Sequence, residues 1–255
     1  TANAAMDLGA STISGTASFR STNNAITDSG TLAITGVTTL NSGSADITLD
    51  QASSTFGTLT LTGVNVAVTE NAAMDLGAST ISGTASFSST NNAITDSGTL
   101  AITGVTTLNS GSADITLDQA SSTFGTLTLT GANVAVTDAG AADLGTSTVS
   151  GTLGITSSGA ITDSGTLAIT GDATFTNTLG SNDAITLDDT SNAFSGTVTF
   201  ATDSGSAVTI VDTTALDLKA LSAASLNVTA GGAITDSGTL AITGVTTLNS
   251  GSADI

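Results

Sequence analysis

Residues Ile26–Gly36 read ITDSGTLAITG, and the same eleven residues return in full at Ile94, Ile161 and Ile234. Inside that stretch TLAIT alternates apolar and polar residues, the period of a strand with one buried face. DSG before it and TG after it are turn chemistry, in which Asp and Ser bond their own backbone and Gly relaxes the limits on φ. A wider repeat surrounds the motif. Residues 3–63 and 71–131 differ at one position, Arg20 against Ser88, which defines a unit of 68 residues. The later copies of the motif follow after 67 and 73 residues, so small insertions are tolerated and belong in loops.

The 68-residue unit divides into three related pieces built on short alternating runs such as TLAIT, DITLD and TLTLTG. Aligned, they place an apolar column at Phe19, Leu40, Leu61, Phe87, Leu108, Leu129, Ile155, Phe175, Phe200, Val228 and Leu248, spaced 20 to 28 residues apart. A second column starts at Ile26, Ile47 and Val68, and a third at Ile34, Phe56 and Leu76. Three short strands per 20 to 28 residues, with Gly, Ser, Asn and Asp between them, describe a coil that turns three corners and returns above itself. The predicted fold is all-β, a parallel β-helix of three strands per coil and about eleven coils, running through 1–255 as one continuous segment with three coils per repeat. At the inter-strand spacing of about 4.8 Å such a stack is a rod about 50 Å long. The absence of proline agrees, since interior strands must donate every N–H. The glycines are expected at corners that need positive φ.

Helices are excluded by the alternation and the density of Thr and Gly. Disorder is opposed by the regular Ile, Leu, Val and Phe positions and by a charged fraction of only 9%. With seven Phe and no Trp or Tyr, the core has to be narrow. The net charge of −19 repels phosphates and anionic headgroups, so no nucleic acid partner is expected. No stretch approaches the roughly 18 apolar residues of a membrane span, and no membrane insertion by this segment is expected. Without cysteine there is neither a disulfide framework nor a thiolate site. The chain begins and stops inside a repeat, which reads as a window cut from a longer array.

AITDSGTLAITG, TTLNSGS, DITLD and GVNVAVT followed by DLG resemble the repeats of filamentous-haemagglutinin-type β-helix adhesins, and the resemblance covers essentially the whole chain. It implies a right-handed β-helix, secretion to the bacterial cell surface, and a role as a stiff structural segment in fibres, adhesion or biofilm. The partners expected of such a segment are other copies of the fibre or neighbouring coils of the same long chain, with surface glycans as a further candidate.

Residue chemistry argues against an enzyme, because no His, Cys or Tyr is present to serve as base, nucleophile or phenolic acid. Two surface patterns are the candidate sites. Outward hydroxyls flank the first apolar column, among them Thr39, Thr60, Thr62, Thr107, Thr128, Thr130, Thr174 and Thr176. Such residues suit any solvated β surface; the alternative function is a flat Thr/Ser/Asn face for ice or glycan. The second pattern is acidic: Asp28, Asp50, Glu70, Asp96, Asp118, Asp138, Asp163, Asp188, Asp212 and Asp236 each close the second strand of a coil. One reading is a turn role, each carboxylate accepting an N–H two residues on. The other is a ladder of carboxylates about 5 Å apart, repelling by ~0.8 kcal/mol per neighbouring pair even in water. No cofactor is required, but hard oxygen ligands of this kind suit Ca²⁺.

Overall fold

The computed structural model describes residues 1–178, 180 and 182–255. Thr1–Gly125 forms one compact unit and Thr126–Ile255 a second. In the first unit, repeat one lays down ten strands. These are β1 (Met6–Leu8), β2 (Ser11–Ile13), β3 (Ala17–Arg20), β4 (Ile26–Asp28), β5 (Leu32–Ile34), β6 (Thr38–Asn41), β7 (Ile47–Leu49), β8 (Thr55–Phe56), β9 (Thr58–Gly63) and β10 (Val66–Glu70). Repeat two starts again with β11 (Met74–Leu76), β12 (Ser79–Ile81), β13 (Ala85–Ser89), β14 (Ile94–Asp96), β15 (Leu100–Ile102), β16 (Thr106–Asn109) and β17 (Ile115–Leu117). All the pairing is parallel, and along the main sheet each strand bonds to the one three places later in the chain: β1 to β4, β4 to β7, β7 to β10, β10 to β13 and β13 to β16. The same step links β2, β5 and β8, and also β3, β6 and β9. This is a β-solenoid of three strands per coil. Counted over both units the chain makes about 12 turns, against the eleven expected. No helix among the described residues is long and apolar enough to cross a membrane.

The ten strands of repeat one do not divide by three, and that repeat is therefore three coils and one strand more. Equivalent strands of successive repeats fall on different sides. Phe19 of β3 stacks on Leu40, in the sheet of β3, β6 and β9. Its counterpart Phe87 of β13 stacks between Val68 and Leu108, in the sheet of β10, β13 and β16. The apolar column read from the sequence is thus correct from Phe19 to Leu61 and breaks at Phe87. Leu61 instead donates its backbone N–H to Ser79 Oγ at 3.0 Å. Likewise Val68 lies on Leu49, and Val66 takes the place above Ile47. The cause is geometric: a strand bonds to whatever lies one turn below it, about 20 residues earlier, and the 26-residue step from Leu61 to Phe87 overshoots that turn. The six-residue β9 makes the adjustment, its start pairing with β11 and its end with β12.

The second unit follows the same rule. Leu153–Ser157 pairs with Ala173–Asn177, and that with Thr197–Ala201, stacking Ile155, Phe175 and Phe200. The column then breaks again, because Val228 lies on Ile210. Phe175 and Phe200 rings stack with centroids 5.8 Å apart, while Phe194 meets Phe175 edge-on at 6.2 Å. Such contacts fill a narrow core with few residues. Along each strand the buried residues alternate with partly exposed ones, as in Thr58–Gly63 and Thr126–Gly131.

Most glycines serve a purpose other than the expected one. Among the described residues only Gly43, Gly111, Gly180 and Gly251 have positive φ. At other corners the coils approach too closely for a side chain. A Cβ on Gly104 would sit 2.5 Å from the carbonyl oxygen of Gly83, and one on Gly57 would sit 2.6 Å from that of Gly36.

Candidate functional site

The ten acids of the proposed ladder do not line up: successive repeats carry them to different sides, and within repeat one Val68 lies on Leu49, so that Glu70 falls one residue past Asp50. Three of them bond the coil above. Asp28 Oδ1 accepts the N–H of Asp50 at 2.9 Å, Asp96 Oδ1 accepts that of Asp118 at 2.9 Å, and Asp163 Oδ1 accepts that of Asp188 at 2.8 Å. The ladder thereby reduces to the pairs Asp28/Asp50, Asp96/Asp118 and Asp163/Asp188, in which the second member is exposed. Burial pushes the carboxyls of Asp28 and Asp96 above the ordinary range, and the accepted amide bonds oppose that shift.

Glu70, Asp138 and Asp212 instead point inward and are buried. Their strand partners are uncharged: Ser89, Ser157 and Ala230. Asp138 and Asp212 accept the N–H two residues on, from Gly140 at 2.8 Å and Thr214 at 3.0 Å, which is the anticipated turn role. Glu70 Oε2 accepts the N–H of Phe56 at 2.9 Å, fourteen residues back. Asp236 is exposed and pairs with Leu218. Among the described residues no group of three or more Asp or Glu gathers in a metal-ligating arrangement. The inward turn of Glu70 was readable in principle: Val66, Val68 and Glu70 share one phase of the alternation in VAVTE.

This placement carries an expected result. The exposed members of the pairs should respond to ionic strength in general, so the melting temperature should rise equally in CaCl₂ and NaCl at matched ionic strength. Thermal melts in chelator, NaCl and CaCl₂ measure it; an extra rise with calcium that disappears in Asp96→Asn would restore the ion ladder.

The hydroxyl positions are all half-buried on outward faces, but not on one face. Thr39, Thr60 and Thr62 share the sheet of β3, β6 and β9, with Thr39 on Thr60. Thr107 lies in the sheet of β13 and β16, opposite Ser86. In the second unit Thr128 and Thr130 are on Thr126–Gly131, and Thr174 and Thr176 are on Ala173–Asn177, in another sheet. Thr174 stacks on Thr199, whereas Thr176 meets Ala201. What results is a set of short hydroxyl runs. Beside one of them Thr176, Asn177, Thr178, Ala201 and Thr202 line an open, mostly apolar groove of about 490 Å³.

One polar arrangement was not anticipated. Asp75 Oδ2 accepts hydrogen bonds from the hydroxyls of Thr58 at 2.7 Å and Ser97 at 2.8 Å, and Asp143 Oδ2 accepts from Thr126 and Ser164, both at 2.8 Å. Each carboxylate ties its own coil to the coils before and after it. The sequence signal is the Asp of MDLG or ADLG standing on an outward strand position.

These features define a structural repeat protein, a β-solenoid whose polar groups mostly bond one coil to the next. Four successive segments, 1–62, 63–130, 131–201 and 205–255, match the family described as "Repeats of unknown function (DUF5649)", and the chain belongs to that family. No curated protein and no solved structure matches it.

Proposed function

We propose that this chain is a structural segment of a secreted bacterial surface fibre or adhesin, a stiff spacer with no catalytic activity. The observation that supports this most is the shift of the repeat by one side per copy. A patch encoded once per repeat is dealt out to different sides, so no side accumulates a ligand-sized array, while the parallel backbone ladders run on within each unit. That arrangement suits a spacer better than a binding face. The resemblance to filamentous-haemagglutinin-type repeats supports the extracellular setting, where other copies of the fibre and surface glycans are the natural partners. Immunogold electron microscopy of intact cells, with antibody raised against this segment, tests the reading. Labelled surface filaments are expected; label only after permeabilisation would overturn it.

A further inference from the structure

Strand β8 ends its three-stranded sheet, so the outward edge of Phe56 has no strand above it to accept its N–H. The carboxyl of Glu70 takes that place, with Oε2 at 2.9 Å. Next to it the N–H of Asn71 bonds the carbonyl of Ser54 at 2.9 Å, so the end of β10 and the residue after it clasp β8 and the residue before it at two points. The glutamate is 0% exposed and its second oxygen, Oε1, is buried without a partner. In the second unit the clasp recurs: Asp212 Oδ1 accepts the N–H of Phe194 at 3.2 Å, and Thr213 N–H bonds Asn192 O at 2.8 Å.

No opposite charge stands near Glu70. Strands β7, β8 and β13 carry no ionisable residue. Of the neighbouring acids, Asp50 is exposed, Asp28 is engaged with the Asp50 N–H, and Asp75 is engaged with Thr58 and Ser97. Arg20 on β3 is exposed, and no charged group acts on the Glu70 carboxyl. A buried carboxylate with one amide donor and no counter-charge is costly, whereas the neutral acid loses much less on leaving water.

We propose that Glu70 is a pH-operated latch, which closes the edge of β8 as a neutral acid and loosens the coil from Ser54 to Glu70 when it ionises. Burial pushes its carboxyl up to about 8, the Phe56 amide opposing only part of the shift. The value is raised on folding, so the contribution to stability is complete below 4.5 and is lost as pH rises through 8. Across that window the folding equilibrium constant falls by about three orders of magnitude from this group alone. Asp212 is also raised by burial, but it accepts additional bonds from Thr214 N–H and Oγ1, which favour its ionised form. Ionisation of Asp212 in place is therefore less costly and opens its clasp less.

Glu70 is the lone glutamate of the chain, so a ¹³Cδ-glutamate label reports this carboxyl alone. The labelled full chain is titrated by NMR while exchange of the Phe56 amide is followed, in the wild type and in Glu70→Gln. The expected midpoint lies near 8, with Phe56 exchange accelerating above it beyond the intrinsic base-catalysed rise, and Glu70→Gln keeping Phe56 protected to pH 9. A midpoint at or below 4.5, or identical Phe56 exchange profiles in the two proteins, overturns the latch. Should Glu70→Gln not fold, the titration of the wild type decides by itself.

Discussion

Phe87→Ala is expected to cost about 3–5 kcal/mol of unfolding free energy, the range for emptying a fully buried aromatic site. Phe87 is 1% exposed and stacks between Val68 and Leu108, one coil below and one above. Its removal leaves a hole facing two strands whose positions are held by backbone bonds, so the site cannot collapse to refill it. Phe87→Asp should be worse, since it adds an unpaired charge to the same space. The adjacent Ser88→Asp faces outward opposite Asn109 and should stay within about 0.5 kcal/mol. Urea denaturation of the three variants makes the comparison. Equal losses for Phe87→Asp and Ser88→Asp would mean that the inward and outward phases of β13 are reversed. Because coils couple to their nearest neighbours, the loss should appear first as local exchange around β10, β13 and β16.

Gly104→Ala is expected to destabilise by about 1–3 kcal/mol, although a Gly-to-Ala change at an ordinary φ usually helps. The added methyl would meet Gly83 O at 2.5 Å and Gly83 C at 2.7 Å, and both are backbone atoms of the coil below. That coil is itself fixed there by the bond from Gly104 N–H to Gly83 O at 2.8 Å. Neither side can yield without breaking the stack. Gly154→Ala provides the opposite case. Its Cβ would find only Val134 O, at 3.9 Å, on a strand where Thr174 and Ala135 already flank it. Less backbone freedom in the unfolded chain should then stabilise the protein by about 0.4–1 kcal/mol. Melting of the two variants against wild type gives shifts of opposite sign; a shared sign would show that corner glycines are not selected by close approach.

By itself the sequence determined the class of fold. Alternation in TLAIT and TLTLTG specifies strands, the 68-residue recurrence specifies stacking, and the turn residues between runs specify corners, all of them local properties of a few neighbouring residues. It also determined that the core is thin, since seven Phe and small aliphatic residues supply nothing larger. The tertiary structure decided the register. Whether Leu61 is followed on its side by Phe87 or by Ser79 depends on how many residues each corner consumes, and that is settled only when a strand bonds the one beneath it. Everything that depends on register went with it: the acids separated into pairs and inward carboxyls, and the hydroxyls divided among sheets. Glycine roles were hidden for a related reason, because a close approach between Gly104 and Gly83 involves residues one whole coil apart. Glu70 shows the boundary between the two. Its inward phase is written in VAVTE, but the amide it serves, on Phe56, becomes its neighbour only because β8 has no strand above it.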